Sequence, residues 1–262
     1  MPTLDVDGNR LFYSDQGDPA GPALLLIHGA GGSHLVWPAA LRRLAGARVL
    51  AVDLPGHGRS APPGRRTLAH YARVVTAFVA ALGLTDVVLA GHSMGGAIAL
   101  TVALEPPAAL RGLVLLGVGA RLRVNDLLLG GALRDLERAA AFIVDYGFVT
   151  APEELRRKTR EAIVATGPMT LFGDFLACQR FDARARLPGI HLPALVISGA
   201  ADRLSPPREA DALAAGLPHA RLARLEDTGH FSMLERPAEV AALVAAFLDA
   251  PRPSALGQHA PQ

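Results

Sequence analysis

The stretch Gly91-His92-Ser93-Met94-Gly95-Gly96 decides how this chain is read. It follows the apolar run 86–90 and opens a small-residue stretch, 95–104, that stops before Pro106-Pro107. Strand, tight turn and helix around G-x-S-x-G form the setting in which a serine hydroxyl is pushed out of a sheet as a nucleophile. The glycines at 91 and 95 remove Cβ atoms where neighbouring backbone must pass close. The helix behind Ser93 points its first N–H groups and its positive dipole end at developing negative charge. An ordinary Gly-rich turn is the bland alternative, and the strand before it and the helix after it argue against that.

Working outward, the chain alternates between two textures. Short apolar runs at 23–27, 48–52, 86–90, 113–116, 194–198 and 220–225 are mostly continuous, as expected for strands covered on both faces. Between them, 68–82, 95–104, 206–217 and 237–248 read as helices, the last two with proline in the first turn. At the start, Leu4 and Val6, the turn Asp7-Gly8-Asn9, then Leu11 and Tyr13 read as a hairpin. This alternation predicts an α/β fold with a mostly parallel sheet flanked by helices and right-handed crossovers. Residues 121–186 hold no strand pattern but helical patches at 126–146, 152–165 and 170–179, so they read as a helical insertion. The stretch 251–262 reads as a flexible tail.

A serine hydroxyl needs a base, and the base needs an orienting acid. Of the nine histidines, His230 stands out, in Asp227-Thr228-Gly229-His230-Phe231 between the last strand-like run and the final helix. His28 reads as support for a loop, and His57 sits in a Pro-Gly turn. His92, beside Ser93 on an extended segment, is expected to point away from it. The acid candidate is Asp202, just past the run 194–198, because catalytic groups gather at the C-terminal edge of parallel strands. Its rivals are a plain helix-capping role and Asp227. An oxyanion needs two backbone donors. The N–H groups of Met94, next to the serine, and of Ala30, in His28-Gly29-Ala30-Gly31-Gly32, are the candidates. A phosphate cradle is the alternative for those glycines, but the lysine of the P-loop pattern is missing.

Composition narrows the class. The 262 residues are 50% hydrophobic and 19% charged, which excludes a disordered chain. Lys+Arg 26 against Asp+Glu 24 gives +2, and the pI of 9.1 reflects a chain whose only lysine is Lys158. Arginine does not titrate near pH 9, so the pI marks no basic patch, and no nucleic-acid partner is expected. The single Cys178 fits a reducing compartment and reads as a buried, inert thiol. With no leader-like N-terminus and no run of about 18 apolar residues, a cytoplasmic location without membrane insertion is expected.

In this order, His28–Gly32, Asp53-Leu54-Pro55-Gly56-His57-Gly58-Arg59-Ser60, Gly91–Gly96, Asp202 and Gly229-His230 resemble the α/β-hydrolase superfamily, in its serine-nucleophile, carboxylesterase/lipase-like branch. The resemblance spans roughly residues 1–250. It implies an eight-stranded sheet, antiparallel at its start, with a core over 1–120 and 187–250 and a lid over 121–186. The order Ser, Asp, His fits that superfamily. A serine at 93 separates the chain from similar dehalogenases and epoxide hydrolases, which carry aspartate there. The expected activity is cleavage of a small-molecule carboxylic ester through Ser93, His230 and Asp202, without metal or cofactor. Lactonases, perhydrolases and carbon–carbon bond hydrolases have similar elbows and remain alternatives, as does a ligand receptor with residual hydrolysis. Trp37, Phe142, Phe148, Phe172 and Phe231, with Leu127, Leu128, Leu129, Met169 and Phe175, are candidates to line an acyl pocket. Simple core packing is the rival explanation for each of these side chains.

Overall fold

A computed structural model describes residues 2–250. Its centre is an eight-stranded sheet: β1 (Thr3–Val6), β2 (Asn9–Gly17), β3 (Ala23–Ile27), β4 (Arg48–Val52), β5 (Val87–His92), β6 (Leu110–Leu116), β7 (Ala194–Gly199) and β8 (Ala220–Leu225). The spatial order is β1-β2-β4-β3-β5-β6-β7-β8. The β1/β2 and β2/β4 pairs are antiparallel and the rest are parallel, as the hairpin and the continuous apolar runs imply. The tail 251–262 lies outside the described residues.

The helices are α1 (Ala39–Arg42), α2 (Leu68–Ala81), α3 (Met94–Ala103), α4 (Asp126–Arg134), α5 (Leu136–Gly147), α6 (Glu153–Thr166), α7 (Pro168–Gln179), α8 (Pro207–Gly216), α9 (Ser232–Glu235) and α10 (Pro237–Asp249). Alternate residues of one strand feed two cores. Leu25 and Ile27 pack with Tyr71, Val75 and Phe78 of α2 and with α3. Leu24 and Leu26 face the other way, toward Trp37, Leu41, Val240 and Val244. The side chains of Leu24, Leu25, Leu26 and Ile27 are all fully buried, each stabilising the fold by about 1.5–3 kcal/mol. A central strand covered on both faces has no reason to alternate, whereas edge strand β8 does expose residues.

Helices α4 to α7 form the insertion between β6 and β7. The patch 126–146, read from sequence as one helix, is two. Asp135 leaves helical geometry at φ −156° and ψ 81°, and its carboxylate accepts the Arg138 N–H at 3.0 Å. A short capping side chain offers the backbone a partner that competes with helix continuation, which breaks the run there.

The strand order creates one crevice. β3 leads to β4 on one side, while β5, its other neighbour, leads to β6 on the opposite side. Loops leaving the C-terminal ends of two such strands diverge and open a cleft between them. Here those loops are His28–Gly32 and the turn at Ser93.

Candidate active site

Ser93 sits between β5 and α3 at φ 52° and ψ −116°, a backbone region that non-glycine residues rarely occupy. Surroundings that admit no other path hold it there. A Cβ at Gly91 would lie 2.2 Å from the Gly95 carbonyl oxygen, and one at Gly95 would lie 2.0 Å from the Ile27 carbonyl oxygen. The elbow is thus wedged between its own helix and β3. Among the described residues, Ser93 Oγ has no hydrogen-bond partner, so the hydroxyl is free to turn.

Asp202 and His230 are joined directly. Asp202 Oδ2 lies 2.8 Å from His230 Nδ1, and Oδ1 accepts the N–H groups of Leu204 at 2.9 Å and Ser205 at 2.8 Å. The carboxylate therefore both shapes its loop and orients the imidazole. Asp202 thus makes loop-turning bonds and a bond to His230 together, and it does not cap α8, whose N-cap is Pro206 with no side-chain cap bond. With Nδ1 committed to Asp202, Nε2 remains to take a proton. Asp227 is not at His230 Nδ1, and stands at a φ of 49° in the turn before it.

The oxyanion candidates pass a donor count. In the loop after β3, the Gly31 N–H is spent on Asp174 at 3.0 Å and the Gly32 N–H on the Gly29 carbonyl at 3.1 Å. Among the described residues, the Ala30 N–H carries no partner, and neither does the N–H of Met94 at the head of α3. The two loops touch, since a Cβ built at Gly29 would come within 3.2 Å of Ser93 Cβ.

Ser93, His230 and Ala30 face one cavity of about 760 Å³. Its apolar walls include Leu128, Ile143, Leu155, Phe175 and Phe231. Of the five aromatic residues put forward most strongly for the pocket, Phe231 lines it and the other four do not. Trp37 is buried beneath the sheet with Leu41, away from the cleft. Phe142 stacks on Tyr146 at 4.0 Å, and Phe148 stacks on Phe231 at 4.6 Å, behind the wall. On α7 Phe175 and Cys178 line the cavity, whereas Phe172, one turn nearer the start of the helix, is partly buried against the core cluster. Leu128 and Phe175 hold wall positions, whereas Leu127, Leu129 and Met169 do not, and Leu127 and Met169 are exposed.

Several supporting residues carry no local sequence signal. His92 packs against the candidate base. Its ring lies 4.7 Å from that of His230, and its Nε2–H donates to the His230 carbonyl at 3.0 Å. Burial, then the neighbouring His230, hold its pKa well below the usual histidine value, so it is neutral. His28 is likewise neutral, its pKa lowered to about 4 chiefly by burial and next by His57. Its Nε2 accepts the Leu54 N–H at 3.0 Å, and its Nδ1–H donates to the Gly29 carbonyl at 2.8 Å. Glu235 binds the Gly229 N–H with Oε1 and the N–H groups of Val149 and Thr150 with Oε2, tying the His230 loop to the insertion. Asp174 is wholly buried in α7 and contacts three core groups.

No helix among the described residues is long and apolar enough to cross a membrane, and they hold no cluster of metal-ligating side chains.

Residues 22–237 match the family model for the alpha/beta hydrolase fold. The chain is 36% identical over 245 residues to a polyketide synthase of Burkholderia thailandensis, matching 87% of this chain and only 12% of that protein. It is 33% identical over 256 residues to the dihydrolipoyllysine-residue acetyltransferase component of the acetoin cleaving system of Cupriavidus necator, covering 92% of this chain and 67% of the other. Among solved structures, the enol-lactonase from Burkholderia xenovorans superposes with a TM-score of 0.88 at 26% identity, over 95% of this chain and 100% of that one. The sheet order, the strained serine elbow and the match over most of its length together show that this chain belongs to the alpha/beta hydrolase family.

Proposed function

We propose that the protein is a serine hydrolase that cleaves carboxylic esters through an acyl-enzyme. The observation that carries this reading is the Asp202–His230 bond at 2.8 Å, set in the same cavity as the strained Ser93. The similarity to an enol-lactonase, whose substrate class is a cyclic ester, supports it.

Each step is assigned to one group of the chain. His230 Nε2 takes the proton of Ser93 Oγ as the oxygen attacks the substrate carbonyl carbon. The carbonyl electron pair moves onto its oxygen, which accepts hydrogen bonds from the Ala30 and Met94 N–H groups. Each such donor is worth about 2.7–4 kcal/mol in the transition state. The His230 imidazolium, stabilised by Asp202, returns the proton to the departing alkoxide, and alcohol leaves. Water then attacks the acyl-enzyme while His230 takes its proton. Collapse releases the acid and restores the Ser93 hydroxyl. The insertion α4–α7 serves as the lid, supplying Leu128, Ile143 and Phe175 as an apolar wall for the acyl chain.

A panel of p-nitrophenyl esters from acetate to octanoate, lactones and vinylogous 1,5-diketones tests this directly. The reading predicts multiple turnover on esters or lactones. A single slow acylation without turnover would instead indicate a ligand receptor, and turnover confined to diketones would indicate carbon–carbon bond cleavage.

A further inference from the structure

Gly31, the residue after the Ala30 donor, is held at both of its backbone polar groups by the insertion. Asp174 Oδ2, on α7, accepts the Gly31 N–H at 3.0 Å. Thr166 Oγ1, at the end of α6, donates to the Gly31 carbonyl at 2.9 Å. Gly31 stands at φ +64°, and a Cβ there would press on Leu171 at 3.0 Å and on Ile163 at 3.2 Å, both from the insertion. One loop residue is thus clasped by two polar groups and packed against two apolar ones, all from 163–174.

Asp174 is an expensive way to fasten a helix. A wholly buried carboxylate costs several kcal/mol of desolvation, and a well-packed apolar residue often anchors as well or better. What the carboxylate adds is direction. Besides Gly31, its Oδ2 takes the His57 Nε2–H at 2.8 Å, and its Oδ1 takes the Tyr71 hydroxyl at 2.7 Å. Tyr71 in turn accepts the Arg65 N–H at 2.9 Å. Both His57 nitrogens face acceptors, Asp174 and the Pro55 carbonyl at 3.1 Å, and although burial lowers the ring's pKa, Asp174 outweighs it and leaves it raised. The fixed points are core residues, so α7 carries a rigid acceptor to one place only.

We propose that Asp174 and Thr166 are positioning residues that hold the Gly31 backbone on both sides of its Cα so that the preceding Ala30 N–H points at the oxyanion. The helical insertion then completes the oxyanion hole as well as covering the cavity. This rests on the ester-hydrolase reading with Ala30 as a donor.

The test compares D174N and T166V with wild-type protein and S93A on p-nitrophenyl butyrate. An oxyanion donor acts in the transition state, so displacing it lowers kcat and leaves KM near its original value. Displacements of about 1 Å can cost about 100-fold, so D174N is expected to lose about 10- to 100-fold in kcat, with KM changed less than about threefold. T166V, nearly isosteric, is expected to lose about three- to tenfold by the same logic. An alkylboronic acid, whose tetrahedral adduct on Ser93 places an oxygen in the hole, should bind more weakly in proportion to the loss in kcat. The matching alkyl amide, which forms no adduct, should bind all four proteins alike. Folded variants with kcat within twofold of wild type, or with a raised KM alone, would overturn the proposal. If D174N does not fold, T166V decides between these outcomes. Failure of the parent reading looks different, since S93A would then turn over like wild type.

Discussion

Asp202 spends one carboxylate oxygen on His230 Nδ1 and the other on the N–H groups of Leu204 and Ser205. The loop after β7 and the base are therefore set by one side chain that is 3% exposed. Replacing it with asparagine keeps the size and the loop bonds through the amide oxygen. The amide nitrogen then faces Nδ1 and forces the proton to Nε2, where the ring can no longer accept from Ser93. D202N is expected to lower kcat by about 10⁴-fold with a near-normal thermal midpoint, the loss that a wrong histidine tautomer causes in such triads. Steady-state kinetics and a melting curve check both halves.

The elbow has no room for a side chain at its two glycines. A Cβ at position 95 meets two backbone oxygens, those of Ile27 at 2.0 Å and His28 at 2.6 Å. Backbone cannot rotate away as a flexible side chain can, so G95A must separate α3 from β3. Overpacking of this kind costs about 1–3 kcal/mol or more. In a chain of this size each kcal/mol lowers the melting temperature by about 2–4 °C. Calorimetry should show G95A melting about 2–12 °C lower, whereas G46A, where a Cβ meets nothing within 4 Å, suffers only the strain of its positive φ.

Much of this was legible in the sequence, and what was not has a common cause. The continuous runs at β3 and β5 gave away strands covered on both faces, and the glycines around Ser93 announced the elbow. Asp202 and His230 could be paired because each follows a strand-like run at the same sheet edge. The pocket walls could not be read the same way. Phe172 and Phe175 look alike in sequence and share a face of α7 by their spacing, so only the surrounding fold decides which reaches the cavity. Asp174 and His57 lie 117 positions apart, and no local pattern marks a carboxylate whose partners come from distant loops.

Buried neutral histidines set the acid limit of stability. The folded pKa of His28 is depressed to about 4 from 6.5, so its contribution is present above pH 6.5 and is lost as pH falls through that window. At 1.36 kcal/mol per pKa unit, His28 alone removes about 3 kcal/mol between pH 6.5 and 4. His92, also depressed, acts in the same sense. His57 behaves oppositely. Burial pulls its pKa down, but Asp174 outweighs burial and leaves it raised, so its contribution holds below pH 6.5 and fades as pH rises through the folded value. Urea unfolding at pH 6.5, 5.5 and 4.5 should show a steady fall in unfolding free energy, with protons taken up on unfolding. A flat profile would contradict the assignment.

Cys178 lines the cavity yet should be unreactive. Burial, reinforced by the Asp174 charge, pushes its thiol far above the usual range, so little thiolate exists at neutral pH. A thiol reagent such as a disulfide dye at pH 8 should label it only after unfolding, and C178A should retain wild-type ester turnover. Rapid labelling of the native protein would show the wall around α7 to be open.

The central claim is that Ser93 carries the acyl group. Wild-type protein and S93A are given p-nitrophenyl butyrate, quenched in acid within the first turnovers and digested for mass spectrometry. The account predicts a butyryl adduct on the peptide containing Ser93 in the wild type. S93A should show neither adduct nor turnover, with its melting temperature nearly unchanged because alanine keeps the Cβ at the same φ and the hydroxyl makes no cap hydrogen bond. Turnover by S93A at the wild-type rate, or an adduct on another residue, would contradict it.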